Sequence, residues 1–373
     1  MIFKCEKKEL QTATANVSRA AAVKSPVPAM EGILLETDGG KLKLTAYDGK
    51  IGIYTRIEAE ISEDGAIVIP ARFLVDLVRK LPEGDVIIRS DDDFACTVRC
   101  GKTNVRVMGY DPKTFPELSA VNGTENVRIP ETMLKSMIEG TIFAVSESES
   151  RPIYTGILFE IGEHDLTLVA IDGYRMAKRS EDVQETTMSP CRFVIPGSTC
   201  AEVERICNAG KFEDVTISLG EKHVSFSIGD TVIVSRRLEG EFMNYRKSIP
   251  ETFSYQVTVD RKDLMTAIDR TALVIRDRQS SPVEMTLNEG YLELQCSTGF
   301  GHAEDSLFCE GNGDGLLVGF NDRYFMDALK AADDERVTIC ANKSSSPIIL
   351  RATADSKYLY MVLPVRLRAE GGQ

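Results

Sequence analysis

Short apolar runs alternate with polar residues along most of the chain, and turns rich in glycine and aspartate separate the runs. This spacing predicts β-strands joined by tight turns. The clearest example lies at 151–179, where apolar runs at 157–159 and 166–171 flank the polar turn 162–165. We predict that these two runs pair as a β-hairpin.

Weaker copies of this hairpin occur on both sides of it, at 30–52 and 283–299. A second landmark, a strand that leads directly into a helix, recurs at Pro70, Pro196 and Phe320. Both landmarks return at intervals of about 125 residues, which indicates an internal repeat. We therefore predict three packed domains of similar fold, at 1–126, 127–251 and 252–373.

Each repeat also contains two helical stretches whose apolar residues recur at three- and four-residue spacing. In the first repeat, the helix that begins at Lys7 is predicted to run to about Ala22. Two helices and two antiparallel sheets per repeat predict an α+β fold in which helices pack against sheets. In the second helix, at 71–84, the residues predicted to face inward are Phe73, Leu74, Leu77 and Val78.

The composition is typical of a soluble globular protein, since 43% of the 373 residues are apolar and 27% are charged. We expect no signal peptide, because no basic segment followed by an apolar core opens the chain. No apolar run approaches the ~20 residues of a membrane-spanning helix. The expected location is the cytoplasm, and no membrane partner is expected.

Candidate metal-binding and catalytic residues are sparse. The nine cysteines include no CxxC pair, and His164, His223 and His302 are isolated from one another and from any cysteine pair. We therefore predict reduced, mostly buried cysteines and neither a metal nor another cofactor. The GxSxG, HExxH and P-loop patterns are absent, so we predict no catalytic residue and no enzyme.

The net charge of −13 argues against a nucleic-acid partner unless the positive residues are concentrated on one surface. Many lysines and arginines do fall on predicted helix faces, Lys7 among them, whereas turns are rich in acidic residues. Such faces suit loose, sequence-independent contact with phosphates, but ordinary solvated helix faces remain an alternative. The residues predicted to face DNA are Arg19, Lys24, Arg72, Arg79, Lys80, Lys135, Arg205 and Arg276.

Four further segments are distinctive: IDGYRMA at 171–177, EFMNYRKSIP at 241–250, GFND at 319–322 and YMVLPVRL at 360–367. In this order and at these distances, they resemble the bacterial DNA polymerase III beta subunit family, the sliding clamps. The resemblance covers the chain to Leu367 and implies a head-to-tail homodimer, a ring that encircles double-stranded DNA without sequence specificity. It implies a processivity factor that tethers the replicative polymerase alpha subunit, the clamp loader and other proteins with a clamp-binding motif.

The same resemblance implies a pocket for a short extended peptide, built from the second and third domains. An ordinary place in the core or on the surface remains the alternative for each residue, most of all for Ile171 and Leu363. The apolar part would use Tyr154, Thr155, Ile171, Gly173, Tyr174, Arg175, Met176, Met243, Met361 and Leu363. The flanking part would use Arg151, Asn321, Tyr324, Ser346, Pro347 and Arg366.

The dimer contact implied by the resemblance joins the first domain of one copy to the third domain of the other. An edge strand around Val105 and Val107 would meet the region near Leu273 and Val274. An edge strand with alternating apolar residues needs a partner, which agrees with such a joint. Two other classes of function remain open at this point: an enzyme, and a repeat-built scaffold that binds proteins but not DNA.

Overall fold

The computed structural model describes residues 1–118, 121, 125–183, 185–207, 214–275, 281–353 and 357–367. Within these ranges the chain forms 27 strands and six α-helices, so the fold is α+β as predicted. Each predicted repeat holds nine of the strands and two of the helices in the same order.

The bounds of the elements are as follows. The first repeat contains β1 (Ile2–Glu6), α1 (Lys7–Val17), β2 (Gly32–Asp38), β3 (Lys41–Tyr47), β4 (Ile51–Glu58), β5 (Glu60–Glu63), β6 (Ala66–Pro70), α2 (Ala71–Lys80), β7 (Asp85–Ser90), β8 (Ala95–Cys100) and β9 (Thr103–Met108). The second contains β10 (Asn126–Pro130), α3 (Glu131–Ile142), β11 (Gly156–Ile161), β12 (Asp165–Ile171), β13 (Arg175–Asp182), β14 (Glu185–Thr186), β15 (Cys191–Pro196), α4 (Gly197–Ile206), β16 (Asp214–Leu219), β17 (His223–Ile228) and β18 (Thr231–Arg236). The third contains β19 (Tyr255–Asp260), α5 (Arg261–Thr271), β20 (Val283–Leu287), β21 (Tyr291–Ser297), β22 (His302–Phe308), β23 (Glu310–Asn312), β24 (Leu316–Phe320), α6 (Asp322–Ala331), β25 (Arg336–Ala341), β26 (Ile348–Ala352) and β27 (Tyr358–Val362).

The three predicted hairpins are confirmed. β11 and β12 pair in antiparallel register, with Leu158 opposite Val169, and both strands are almost entirely buried. β2 pairs with β3 and β20 pairs with β21 in the same way. The second landmark is confirmed as well, because β6, β15 and β24 each lead into a helix.

The strands form four antiparallel sheets, and their order shows how the repeats join. The orders are β5-β1-β7-β8-β9, β14-β10-β16-β17-β18-β4-β3-β2-β6, β15-β11-β12-β13-β27-β26-β25-β19-β23 and β22-β21-β20-β24. Each repeat thus contributes a five-stranded and a four-stranded set, as two sheets per repeat predicted. Neighbouring sets are fused where β4 pairs with β18 and where β13 pairs with β27.

This fusion divides the chain into two compact units that do not coincide with single repeats. The first unit comprises Met1–Leu134, Gln184–Met188 and Ala201–Arg237. The second comprises Lys135–Val183, Ser189–Cys200 and Leu238–Gln373. Each unit contains one of the two nine-stranded sheets.

The first helix confirms the predicted apolar stripe but not its length or its outward lysine. In α1, Leu10, Ala13 and Val17 are buried. The α-helix ends at Val17 because the chain tightens into a 3₁₀ turn at Ser18–Ala20. Lys7 was expected on the outward face, but it is buried, and its ammonium group pairs with Glu83 at 2.9 Å.

The second helix is shorter than predicted, and one of the four residues predicted to face inward is exposed. Leu74 and Val78 are buried, but Phe73 is 37% exposed because the buried stripe passes through Ala71 instead. The helix ends at Lys80, and Leu81 takes an extended conformation. Pro82 explains this end, because a residue that precedes proline is disfavoured in the helical region.

No disulfide joins any of the nine cysteines in the described part of the chain; eight of them are buried and Cys191 is half-buried. In the described part of the chain, no group of three or more histidine, cysteine, aspartate or glutamate side chains is arranged to hold a metal ion. Over the same residues, no helix combines the length and the apolar character needed to cross a bilayer.

Candidate functional site

The floor of the candidate site is an apolar patch at one end of β12, β13 and β27. Met176 lies directly opposite Met361 across the β13–β27 pair, and it lies opposite Ile171 across the β12–β13 pair. All three side chains are buried in one cluster. Because neighbouring strands bring these side chains to one face, the floor is built from two different repeats.

The connector that follows β18 covers part of this floor. Phe242 and Tyr245 are buried in the same cluster as Met176 and Met361. The ring of Tyr154 packs edge-on against Phe242, with the ring centroids 5.4 Å apart. Met243, the residue after Phe242, remains 38% exposed, so this part of the site offers a flexible apolar side chain to the solvent.

A tight turn between β12 and β13 positions the polar edge of the site. The Oδ1 atom of Asp172 accepts hydrogen bonds from the backbone N–H groups of Tyr174 (2.9 Å) and Arg175 (3.0 Å). Gly173 has a φ of +96°, a backbone conformation that residues with a side chain rarely adopt. This turn leaves Tyr174 63% exposed beside the apolar floor.

Arg175 is a structural member of the site rather than an exposed cation. Its Nε donates to Asp172 at 2.8 Å and its Nη1 donates to Asp327 of α6 at 2.5 Å. The guanidinium carbon also lies 4.5 Å from the ring centre of Tyr324. Since both carboxylates neutralise it, Arg175 fixes α6 to β13 and stiffens the turn.

The beginning of α6 brings an aromatic pair to the same edge. The side chain of Asn321 caps the helix, accepting a hydrogen bond from the N–H of Tyr324 at 3.1 Å. The rings of Tyr324 and Tyr174 stack, with centroids 6.1 Å apart and planes 21° apart. Together they form an aromatic wall next to Arg175.

The C-terminal segment closes another side of the site. The N–H of Leu363 donates to the carbonyl of Tyr174 at 2.8 Å, and the N–H of Val365 donates to the carbonyl of Gly319 at 2.8 Å. These bonds hold Leu363, which is 37% exposed, beside the turn. Arg366 follows in the same segment and is exposed.

The remaining predicted pocket residues lie on two short segments. Pro347 directly precedes β26, whose first residue Ile348 pairs with Val362 of β27, and Ser346 is half-buried. Arg151 is exposed at the start of the 3₁₀ helix Pro152–Thr155. The hydroxyl of Thr155 donates within that helix, to the carbonyl of Pro152 at 2.7 Å.

Sequence reasoning missed the group that anchors the connector. The buried carboxylate of Glu160 accepts a hydrogen bond from the hydroxyl of Tyr245. It also accepts two from the guanidinium group of Arg246, from Nη1 at 3.0 Å and from Nη2 at 2.7 Å. Arg192 also pairs with it at 2.8 Å. The signal available in the sequence was Glu160 itself, a carboxylate within an otherwise apolar strand.

Four of the eight residues predicted to face DNA have carboxylate neighbours. Arg19 and Arg205 both approach Glu202, at 3.6 and 3.0 Å, and Arg79 pairs with Asp76 at 2.7 Å. Lys135 lies 4.0 Å from Glu139. The side chains of Lys24, Arg72 and Lys80 are exposed, and Arg276 lies outside the described residues. Partial pairing weakens the positive field of these helices, and their contact with DNA stays a prediction.

The predicted dimer residues lie on an edge strand or beside one. β9 has β8 as its neighbour and β22 has β21, and each strand ends its sheet as described. Val105 and Val107 are half-buried on β9, and Met108 next to them is 59% exposed. Leu273 is 75% exposed and Val274 half-buried in the 3₁₀ helix Ala272–Val274, which packs against β22.

The chain matches a family profile over nearly its whole length. Residues 1–119, 128–244 and 246–366 match the N-terminal, central and C-terminal domains of the DNA polymerase III beta subunit. A curated relative from Synechococcus elongatus, described as a beta sliding clamp, is 31% identical over 372 residues, which cover 98% of this chain and 99% of that protein. A beta sliding clamp from Staphylococcus aureus is 30% identical over 361 residues, 93% of this chain and 94% of that protein.

Solved structures give the same result at the level of the fold. The DNA polymerase sliding clamp from Bacillus subtilis superposes with a TM-score of 0.95 at 27% identity and covers 99% of this chain and 100% of its own. A sliding clamp from Pseudomonas aeruginosa, solved bound to griselimycin, gives a TM-score of 0.93 at 27% identity, over 98% of this chain and 100% of its own.

Proposed function

Because the chain belongs to the DNA polymerase III beta subunit family, the bacterial sliding clamps, we propose that it recruits partners through the apolar site on β12, β13 and β27. The protein is a DNA sliding clamp, a homodimeric ring that encircles duplex DNA without sequence specificity and gives the replicative polymerase processivity. It is not an enzyme. The threefold recurrence of nine strands and two helices supports domain boundaries at 1–126, 127–251 and 252–373.

The observation that supports this site most strongly is the Met176–Met361 pair under an open aromatic edge. Methionine side chains adapt to ligands of different shape, which suits a site that serves several partners. The exposed side chains of Tyr174, Met243 and Leu363 lie around the pair. When the site is empty, they leave apolar surface in contact with water. We infer that a partner inserts one or two large apolar side chains here.

The polar edge fits the main chain and charged groups of an extended peptide. Arg151 and Arg366 are exposed, and their long stems allow the guanidinium groups to reach carbonyl or carboxylate oxygens. Arg175 has a different role, because Asp172 and Asp327 already hold its guanidinium group. We propose that Arg175 keeps Tyr174 and Tyr324 in place while Arg151 and Arg366 contact the peptide.

Griselimycin provides a defined probe for this proposal. The Pseudomonas aeruginosa sliding clamp was solved bound to it, and that structure covers 98% of this chain. We propose that this chain also binds griselimycin, at the apolar site that contains Met176 and Met361. Competition between griselimycin and a partner peptide then tests whether both use one site.

The fused sheets indicate how two copies join. At one joint Ile53 of β4 lies opposite Ile233 of β18, and at the other Ala177 of β13 lies opposite Tyr360 of β27. The equivalent strands with open edges are β22 and β9. We propose that β9 of one copy pairs with β22 of the second copy in the same register, which places Val105 opposite Ala303.

Charges on these two edges are complementary. On β9 the exposed Arg106 alternates with half-buried Val105 and Val107, and on β22 the exposed Glu304 alternates with half-buried Ala303 and Asp305. The proposed register puts Arg106 diagonally across from Glu304, within reach of long side chains. The basic edge of one copy would therefore meet the acidic edge of the other. A head-to-tail dimer contains two such contacts, one at each joint.

Contact with DNA is proposed to be weak and independent of sequence. Lys24, Arg72 and Lys80 are exposed cations, and a few lysine or arginine contacts to phosphates give salt-sensitive binding. A ring does not need tight contact, because its closure keeps it on the duplex. We propose that the protein works in the cytoplasm, where bacterial DNA is replicated.

The mass of the purified protein in solution tests the dimer on which this function depends. Sedimentation should give twice the mass of one chain. A single-chain mass at micromolar concentration would contradict the proposed joint between β9 and β22.

A further inference from the structure

A cavity lies on one face of the nine-stranded sheet of the first unit, and none of its lining residues belongs to the proposed peptide site. Its volume is about 350 Å³, which lies at the lower end of the range for small-molecule sites. Strands β3, β4, β16, β17 and β18 and the segment after β9 line it. Its polar lining consists of Lys43, Thr45, Arg56, Ser218, Ser225 and Ser227.

Thr45 gives the first sign that this cavity accepts a ligand. Its side chain is 3% exposed and lines the cavity. Its hydroxyl has no hydrogen-bond partner among the described residues. A buried hydroxyl is normally satisfied, so an unsatisfied one in a cavity wall indicates a place for an acceptor or donor atom of a bound molecule.

The charges in the wall indicate an anion. Lys43 pairs with Glu36 at 3.2 Å and Arg56 pairs with Asp38 at 2.8 Å, which fixes both cations, and neither carboxylate lines the cavity. The ring of Tyr54 lies 5.4 Å from the Lys43 ammonium group and 5.3 Å from the Arg56 guanidinium group. Because ammonium and guanidinium groups have three and five N–H donors, each can bind a second acceptor.

The remaining wall is apolar. It is formed by Leu118, Val121, Val232 and Val234. A ligand that fills the cavity therefore needs an apolar body next to its anionic group.

The two fused joints differ at one position, and this difference excludes a second peptide site at the cavity. Gly52 lies opposite Val234, just as Met176 lies opposite Met361 at the other joint. A Cβ atom on Gly52 would lie 2.2 Å from Leu118, so the chain's own leucine fills the space above this glycine. The room that remains fits a small molecule, not a large side chain of a partner.

We propose that this cavity binds a small phosphate monoester with an apolar or aromatic body, with the phosphate held by Lys43, Arg56 and the Thr45 hydroxyl. A phosphate fits this end of the lining better than a carboxylate does, because it offers three terminal oxygens and up to two negative charges to Lys43, Arg56 and Thr45. The apolar body lies against Leu118 and Val232.

Phenyl phosphate is a suitable probe, because it combines both features in one molecule. The full chain is titrated with phenyl phosphate, inorganic phosphate or phenol, and ligand-observed NMR gives the dissociation constants. Phenyl phosphate should bind saturably at one site per chain, at least about tenfold more tightly than either fragment. Thr45→Val should weaken it without loss of fold, since the hydroxyl it removes has no partner among the described residues.

Lys43→Met provides the main test and Lys41→Met its matched control. Lys41 lies two residues away on β3 and pairs with Glu58 at 2.6 Å, but it does not line the cavity. Loss of a charged hydrogen bond should weaken phenyl phosphate binding about tenfold or more in Lys43→Met and leave it unchanged in Lys41→Met. The proposal is overturned if the wild type shows no saturable binding, if Lys43→Met binds as the wild type does, or if either fragment binds as tightly as phenyl phosphate.

Discussion

The hydroxyl of Tyr245 donates a hydrogen bond to the buried carboxylate of Glu160, a residue 85 positions earlier in the chain. Burial, together with this hydrogen bond, raises the pKa of the Tyr245 hydroxyl, so the phenol stays protonated as the donor. The bond fixes the connector after β18 against β11. Because the same connector carries Phe242 and Met243, it also fixes one wall of the proposed peptide site.

Tyr245→Phe removes this hydroxyl and keeps the buried ring. Loss of this donor to a buried, charged acceptor should lower the free energy of unfolding by about 1–3 kcal/mol. Arg246 and Arg192 still contact Glu160 in this variant. Differential scanning fluorimetry should show a lower melting temperature. The matched control is Tyr47→Phe, whose exposed hydroxyl donates to the Gly49 carbonyl at 3.2 Å, and it should change the melting temperature little. Equal shifts in the two variants would show that the Glu160 bond has no special role.

Tyr174→Ala tests the peptide site with little risk to the fold, because the side chain is 63% exposed. Loss of the stacked aromatic wall should weaken griselimycin binding at least about tenfold, since tyrosines at the centre of an interface often contribute most of its energy. Tyr110→Ala is the control, an exposed tyrosine in the first unit, which contains none of the predicted pocket residues. Surface plasmon resonance measures both affinities, and the assignment fails if they remain equal to that of the wild type.

A charge exchange tests the proposed joint between copies. Arg106→Glu should place two carboxylates close together and weaken the dimer at least about tenfold. Adding Glu304→Arg to the same chain should restore much of the affinity, because each joint again has one charge of each sign. Sedimentation equilibrium measures the dimer, with the exposed Lys247→Glu as a control that should remain dimeric. A double variant weaker than either single variant would rule out this register.

The buried thiols should react slowly. Burial raises the pKa of Cys5 and of Cys96 to about 12, so near neutral pH almost none of either thiol is in the reactive thiolate form. Cys191 is the half-buried cysteine and should be modified first. Brief exposure to iodoacetamide at about pH 8, followed by peptide mass spectrometry, identifies the order. Cys5 or Cys96 should become reactive only in denaturant, and early modification of either in the native protein would contradict their burial.

Much of the fold was predictable because the repeat is visible in the sequence. The hairpins at Gly32 and Gly156 and the strand-to-helix turns at Pro70 and Pro196 depend on local spacing, and all of them were confirmed. The fusion of sheets was not predictable from local patterns, because the β4–β18 and β13–β27 pairs join strands from different repeats. Long-range strand pairing depends on the packing of whole repeats, not on local alternation.

Single side chains on helices were harder to place. Phe73 is apolar and lies next to Leu74, yet successive residues of an α-helix are turned by about 100°, which places Phe73 outside the buried stripe. The charge of Lys7 predicts a solvated residue, but its long aliphatic stem is buried and only its ammonium group reaches Glu83. In the candidate site, the roles of Arg175 and Tyr245 required their distant partners Asp327 and Glu160 to be known.

The claim that two copies close around DNA is tested most directly by topology. Labelled clamp is loaded onto nicked circular plasmid by a clamp loader, the plasmid is cut once, and gel filtration measures the clamp that remains on DNA. A closed ring should stay on the circle, leave the cut plasmid, and be retained again when bound proteins block both ends of the linear DNA. Equal retention on the circle and on the linear DNA with free ends would contradict the ring.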